Sequence, residues 1–273
     1  MTSFERAFTF TLTESRAATM PRSSSASPAR RRPPPAALAV SPDWKALRSG
    51  AATPPPATGT LPCLVYVVLY HALGAGSLAY YHFERHGVVS PVQFALATFC
   101  VLNAWICVCE LALMIHCAGI RKRYDANTKA LGAGRLPPVF LFAPVTLRQL
   151  VSLEYWGVEM WGTYAALDPA YAETASFGFC VDVGNGVTTL LPSILFAAGM
   201  TWDVLSARWL GMLGLVSFYQ ELYGTVVYFF QFFFNRKDKR IARAHVLGVV
   251  LPANGIWIAL PALGMWASAR MIL

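Results

Sequence analysis

The chain has 273 residues, of which 56% are hydrophobic and only 13% charged, and its mean hydropathy is +0.46. A soluble domain carries about 25% charged residues, and the apolar residues here come in runs too long for a soluble core to absorb. The net charge of +8 sits in the N-terminal stretch and in loops flanking those runs, where membrane proteins place basic residues, so it does not point to a nucleic-acid partner.

Residues 1–60 differ from everything after them. Ser23 to Pro35, with the run Arg30-Arg31-Arg32, and the later Pro54-Pro55-Pro56 cannot bury enough apolar surface to offset the entropy of ordering. The expectation is a disordered tail. Between Arg16 and Gly59 the composition is rich in Arg and Ser and poor in acids, as in organelle transit peptides, whereas Glu5 and Glu14 stand against a presequence. Both readings stay open, with the solvated tail preferred.

Five stretches are long enough to cross a bilayer: Leu61–Tyr81, Pro91–His116, Ser176–Met200, Trp209–Phe234 and His245–Ala269. About 20 mostly apolar residues are needed, because ~30 Å of hydrocarbon is crossed at 1.5 Å per residue. Hydrocarbon offers no water to backbone groups, so each span must be a helix or a barrel strand. These runs are too long for barrel strands and do not alternate. The predicted fold class is an all-α, polytopic transmembrane helix bundle of five spans.

The first span carries His71, Gly74 and Gly76 and ends in Tyr80-Tyr81, an aromatic pair suited to the headgroup region. A basic stretch, Arg121-Lys122-Arg123, follows the second span and leads into a long connector. Within it, Val139–Leu167 opens apolar but is interrupted by Arg148, Glu154 and Glu159. It reads as an amphipathic helix lying in the interface, with a re-entrant segment as the alternative. Five spans put the tail, the Arg121–Lys129 loop and the Arg236–Arg243 loop on one side, with the Phe83–Ser90 and Thr201–Ser206 loops on the other. A sixth would separate the two basic loops and break the positive-inside pattern.

Six cysteines, Cys63, Cys100, Cys107, Cys109, Cys117 and Cys180, fall in or beside apolar helices, where they act as small hydrophobes. No metal site or cofactor motif is expected: there is no P-loop, Rossmann glycine pattern or His-rich cluster. His116 reads as interfacial and His71 as a core hydrogen-bonding residue.

The costly residues are three acids. A carboxylate near the bilayer centre costs about 2.5–3.5 kcal/mol on insertion scales, yet Glu110, Asp182 and Glu221 all lie well inside spans. No Lys or Arg lies at comparable depth, and Arg208 is at an edge. Asp182, Asn185 and Thr189 are spaced i, i+3, i+7 and share a helix face, as do Asn254 and Trp257. Gln220, Tyr223 and Gly224 share one face of the fourth span, while Glu221, Thr225 and Tyr228 share another. Two readings follow. Protonated acids satisfied by neutral groups would glue helices together; a buried pocket with carboxylates and an aromatic wall would suit a cationic amphiphile or a carbocation. Glu110 leans towards the pocket, Glu221 towards glue, and Asp182 divides evenly.

Four segments then form a pattern. Trp161-Gly-Thr-Tyr164-Ala-Ala-Leu-Asp168-Pro-Ala-Tyr171 resembles the W-x-x-Y-A-x-x-D-x-x-Y loop motif of the EXPERA family, which includes a sterol Δ8–Δ7 isomerase, the emopamil-binding protein, and the sigma-2 receptor. Phe179-Cys180-Val-Asp182 is similar to the start of that family's next helix. Tyr223-Gly-Thr-Val-Val-Tyr228-Phe looks like its Y-G-x-x-x-Y-F, and Asn254-Gly-Ile-Trp257-Ile-Ala-Leu-Pro261 like its N-x-x-W-x-x-x-P. All four occur in family order over residues 161–261.

The resemblance implies a four-helix core around a membrane-accessible cavity over residues 91–273, preceded by an additional helix in 61–90. It implies Glu110 and Asp182 as the catalytic or cation-facing acids. Asn185, Asn254 and Trp257 would line the ligand-binding wall, and the helix-face spacing above adds Thr189 and Tyr223 to it. The implied ligand is a sterol or amphiphilic small molecule, in a membrane of the endoplasmic reticulum, or of another organelle if residues 1–60 are a transit peptide. A homodimer is one assembly that stays open. Two departures bear on chemistry. The isomerase carries H-x-x-x-E on its first core helix, but Ile106 stands four before Glu110, and the connector from Glu110 to Asp168 is much longer. A sterol isomerase, a non-catalytic lipid or sterol receptor, and a structural subunit of a membrane complex all stay open.

Overall fold

A computed structural model describes residues 61–273; the N-terminal stretch 1–60 lies outside the described residues. Six substantial helices follow: α1 Cys63–His86, α2 Pro91–Ile115, α3 Cys117–Leu131, α4 Phe177–Trp202, α5 Ala207–Phe234 and α6 Leu251–Ile272. Among the described residues the structure is all-α apart from one minimal antiparallel pair, Leu61–Pro62 with Pro144–Val145.

The helix starts are set locally. Ser90 accepts from the Gln93 N–H ahead of Pro91, and Ser176 accepts from the Phe179 N–H; each satisfies a donor that the first helical turn leaves without a partner. Proline directly after the Ser90 cap suits a position whose N–H has no helical acceptor. Arg243–His245 and the single π turn Val246–Val250 lead into α6. The wider turn sits just ahead of Pro252, whose ring nitrogen cannot complete an α-helical ladder.

Among the described residues four helices are long and apolar enough to cross a membrane: Cys63–His86, Pro91–Ile115, Phe177–Trp202 and the run Arg243–Ile272. These make the protein a candidate integral membrane bundle. The expected fourth span also forms one 28-residue helix, α5, but its Gln220, Glu221 and Gln231 among tyrosines make it less apolar than the other four. It runs the height of the bundle all the same. Its start follows α4 through the turn at 203–206, and its end brings Lys237 to the connector residue Asp168.

Helices α2, α4, α5 and α6 form a ring. The α2–α4 and α5–α6 pairs are intimate, α4–α5 is intermediate, and α6 meets α2 only sparsely. Close approach is enabled where a side chain would not fit. A Cβ on Gly264 of α6 would lie 2.5 Å from the Phe218 ring of α5, and one on Gly186 of α4 would lie 2.7 Å from the Glu110 Cβ of α2. Helix α1 packs outside the ring against α2 and α4 and buries only Cys63 and Ala75. His71 engages the Val67 carbonyl at 2.7 Å, a hydrogen bond within its own helix.

The two ends of the bundle differ in charge. At one end Arg85 meets Asp203 at 2.7 Å and His82 Nδ1 meets the Met200 carbonyl at 2.8 Å, which brings the 87–90 and 203–206 loops together. At the other end lie the start of α1, helix α3 with its basic residues, the connector, and the basic 236–243 loop, tied by Lys237 to Asp168. The basic loops therefore share one end, as the charge pattern predicts.

The connector corrects one expectation. Residues 139–167 do not form a single amphipathic helix. They break into a 3-10 turn, Phe140–Phe142, short helical turns at Leu147–Leu150 and Leu153–Trp156, a π turn at Gly157–Trp161 and a last turn at Gly162–Tyr164. Thr146 and Ser152 each cap a new start, which restarts the helix instead of extending it. Trp156, Glu159, Trp161, Thr163, Ala165 and Leu167 are buried, with Glu159 paired to Arg123 of α3 at 2.7 Å. The segment is packed into the basic end of the bundle as a plug.

Candidate functional site

A polar seam runs between α2 and α4. Asn103, Cys107 and Glu110 lie on one face of α2, and Asp182, Gly186, Thr189 and Ser193 on one face of α4; both sets follow the i, i+4, i+7 spacing of a helix face. The helices are antiparallel, so the residues meet in reverse order. Asn103 reaches Ser193 at 2.8 Å, Cys107 meets Thr189 at 3.2 Å, and Glu110 lies against Gly186. A side chain at 186 would force the two helices apart at the level of Glu110.

Asn103 is the hub. Its Nδ2 donates to Glu221 Oε1 of α5 at 2.7 Å and to Ser193 at 2.8 Å, while its Oδ1 accepts from the Trp257 indole N–H of α6 at 3.2 Å. One side chain thus joins all four helices of the ring. Its orientation is dictated: an indole nitrogen can only donate, so the amide oxygen must face Trp257 and the two N–H protons must face the carboxyl and the serine. Thr189, at 3.3 Å, is the most distant neighbour of Nδ2, and its own hydroxyl engages the Asn185 carbonyl at 3.0 Å.

The three acids fall along this seam. Glu221 is 1% exposed and Glu110 is 5% exposed. Glu110 lies within electrostatic range of both Asp182 and Glu221. Among the described residues, no Lys, Arg or His forms an ion pair with any of them. Glu221 Oε2 and Glu110 Oε2 are buried without a hydrogen-bond partner. Such atoms are uncommon in folded proteins, where nearly all buried polar groups are paired.

The basic end of the seam is closed by the W-x-x-Y-A-x-x-D-x-x-Y segment, whose Trp, Asp and two Tyr residues each have an anchoring contact. Trp161 donates to the Cys109 carbonyl at 2.7 Å and stacks on Tyr171 at 4.9 Å. The Tyr164 hydroxyl lies 3.3 Å from that of Tyr228 and accepts from Asn254 Nδ2 at 2.7 Å. Asp168, wholly buried, takes Lys237 at 2.8 and 3.0 Å and the Ala170 N–H at 3.0 Å. The Tyr171 hydroxyl faces Asp182. Burial first, then the Asp182 carboxyl, pushes the Tyr171 phenol well above its ordinary range. Burial likewise raises Tyr164 to about 12, against the hydrogen bonds from Tyr228 and Asn254. Both phenols therefore stay protonated at neutral pH.

The expected site residues divide accordingly. Glu110, Thr189 and Trp257 join the Asn103 network or its seam, and Asp182 and Asn254 sit at the plugged end against Tyr171 and Tyr164. Asn185 pairs instead with Gln220 of α5 at 3.2 Å. Tyr223 stays apart: it is 58% exposed and stacks on Tyr219 along the outer face of α5. Glu221, read as helix glue, is in the network that holds Trp257. Sequence reasoning missed Asn103, Cys107 and Ser193. Spacing could have flagged the first two, because 103, 107 and 110 share a face with Glu110. Among the described residues no group of three or more His, Cys, Asp or Glu is arranged to hold a metal ion.

A separate cavity of about 470 Å³ lies outside the ring, between α1, α2 and the connector, lined by Tyr66, Tyr70, Trp105, Leu150 and Trp156 among others. It does not include the acids. No family model, no curated protein and no solved structure matches this chain.

Proposed function

We propose that this chain is an EXPERA-type integral membrane protein whose inner seam takes a sterol-like or cationic amphiphilic ligand from the bilayer. The observation that carries the reading is the pair of carboxyls, Glu110 and Glu221, buried within the bundle without a basic partner, with Glu221 tied through Asn103 to the indole of Trp257. Acids confined to gluing helices would have their oxygens engaged; here each keeps one oxygen without a partner. An internal membrane such as the endoplasmic reticulum is the compartment this reading favours.

As an enzyme, the protein would shift a ring double bond. A carboxylic acid, Glu110 or Asp182, gives its proton to one alkene carbon, leaving a carbocation that the Trp257 π face stabilises. A carboxylate then removes the proton from the neighbouring carbon, and the electron pair of that C–H bond forms the new double bond. No redox partner is needed. Ile106 in the place of the isomerase histidine supports a second reading, a receptor that binds without turnover.

The test is expression in cells lacking sterol Δ8–Δ7 isomerase. Restored Δ7-sterols that vanish with Glu110→Gln or Asp182→Asn are expected of the enzyme. Persistent Δ8-sterols at good expression would remove the catalytic reading, leaving binding to be decided by ligand titration.

A further inference from the structure

The basic end of the bundle holds more cations than its acids take up. Arg121, Arg123, Lys237 and Lys239 each meet a carboxylate, those of Asp125, Glu159, Asp168 and Asp238. Arg135, Arg236, Arg240 and Arg243 are exposed and form no ion pair among the described residues. The fold gathers these four although the first lies on a different segment from the others. The stretch 132–136 packs on the 236–243 loop: a Cβ on Gly134 would run into the Arg240 carbonyl oxygen, and Leu136 packs in one cluster with the buried Ile241. Arg135 and Arg240 directly precede that apolar pair, so their segments are pinned side by side while their own side chains stay exposed.

Arg236 adds a second observation. It follows Asn235, the C-cap of α5, with a left-handed backbone of φ 54° and ψ 32°. Glycine is the usual residue there, because a Cβ crowds the following carbonyl. An arginine is strained in that position, so its side chain has a use that the turn does not supply. The height of the patch is set by its neighbours. Phe230 and Phe234 stack at 5.4 Å on the exposed face of α5, the second of them two residues before Arg236. Leu247, also exposed, follows Arg243 by one helical turn. Apolar side chains that face outward from a membrane bundle lie in hydrocarbon, which puts Arg236 and Arg243 at the level of the lipid headgroups.

We propose that Arg135, Arg236, Arg240 and Arg243 bind the headgroup of an anionic phospholipid in the leaflet at this end. All four cations are arginines, and a guanidinium presents its N–H donors in a planar fork that matches two phosphate oxygens. The leaflet that basic loops face is also the one that holds the anionic lipids. Such a lipid supplies the negative charge that the local acids, already paired, do not. A zwitterionic lipid has the same phosphate but brings its own cation to it. The site lies apart from the inner seam and its ligand, and rests only on the bundle lying in a membrane.

The test compares the full chain in nanodiscs of phosphatidylcholine alone with discs that also hold phosphatidylserine. Binding is read as the lipid-dependent rise in melting temperature. The wild type is expected to show that rise, and added salt to shrink it. Arg135→Gln and Arg240→Gln should each weaken phosphatidylserine binding severalfold. Arg236→Gly separates the site from the fold. It should melt no lower than the wild type in phosphatidylcholine, because the backbone strain is relieved, and yet lose most of the rise. Arg208→Gln, the same loss of charge at the other end of the bundle, should keep the rise in full. A wild-type rise in Arg236→Gly, or an equal loss in Arg208→Gln, would overturn the site. So would inorganic phosphate that produces the same rise in phosphatidylcholine discs. Where a variant fails to fold, the wild type decides the matter with a photoreactive phosphatidylserine. Crosslinks are expected within residues 132–136 or 236–243, and labelling confined to other segments would refute the assignment.

Discussion

The ion pair Lys237–Asp168 gives the most direct test of the plug. Asp168 is fully buried and holds Lys237 through both oxygens, at 2.8 and 3.0 Å, while one oxygen also accepts the Ala170 N–H at 3.0 Å. Removing one partner of a buried pair costs about 3–5 kcal/mol, because the other charge is left uncompensated. Lys237→Met belongs at the lower end, about 3 kcal/mol, since the Ala170 N–H still engages the carboxylate. Asp168→Asn should cost less, about 1.5 kcal/mol: the amide oxygen keeps the Ala170 bond, and the Lys237 side chain, 14% exposed, can turn its head towards water. The double variant should lose about 1 kcal/mol, because no orphaned charge remains. Equilibrium unfolding in mixed micelles, followed by tryptophan fluorescence, measures all three. If Lys237→Met lies within about 0.5 kcal/mol of wild type, or the double variant loses the sum of the singles, the plug is not held by this pair.

Two further outcomes follow from the packing and from the opposite end of the bundle. Gly186→Ala places a methyl 2.7 Å from the Glu110 Cβ and 3.0 Å from the Cys107 carbonyl. It should destabilise by about 1–3 kcal/mol, as overpacked cores do; a neutral result in the same unfolding assay would mean that α2 and α4 do not approach as described. At the Arg85 end, the hydrogen bond from Arg85 holds the Asp203 carboxyl below its ordinary range, with His86 and His82 adding to the effect. A depressed carboxyl contributes stability above its unfolded value of about 3.9 and loses it as pH falls through the lower folded value. Between pH 5 and pH 3 the melting temperature of the wild type should therefore fall more steeply than that of Asp203→Asn, and parallel curves would count against the clamp.

The parts of this fold that were legible in the sequence are those governed by local composition. A run such as Pro91–Ile115 contains nothing that could end a helix before the basic stretch after it, so its bounds follow to within a residue. The connector was illegible for the opposite reason. Its segments are individually too short to be stable helices in water, and their positions are set by what they touch: Trp161 by the Cys109 carbonyl, Asp168 by a lysine 69 residues later. Neither partner can be found by reading along the chain.

The seam itself shows where periodicity gives out. Spacing correctly groups Asp182 with Thr189, and it could have grouped Asn103 with Glu110, because those relations lie within one helix. It cannot say that Asn103 faces Glu221 and Trp257, 118 and 154 positions away, since that depends on how two pairs of helices are rotated against each other. Along its own helix Glu221 shares a face only with Thr225 and Tyr228, which leaves the glue reading in place. Tyr223, two positions on, was read as pocket, yet it stacks on Tyr219 on the outer surface of α5. Successive helical residues are separated by roughly 100°, so a rotation of α5 by about two positions exchanges these roles. The side chain that fixes the rotation is Asn103, whose two faces accept only one arrangement of a donor-only indole and an acceptor carboxyl. Replacing it by Leu removes that constraint, so Glu221 should lose its register with Trp257 before the bundle loses its helices.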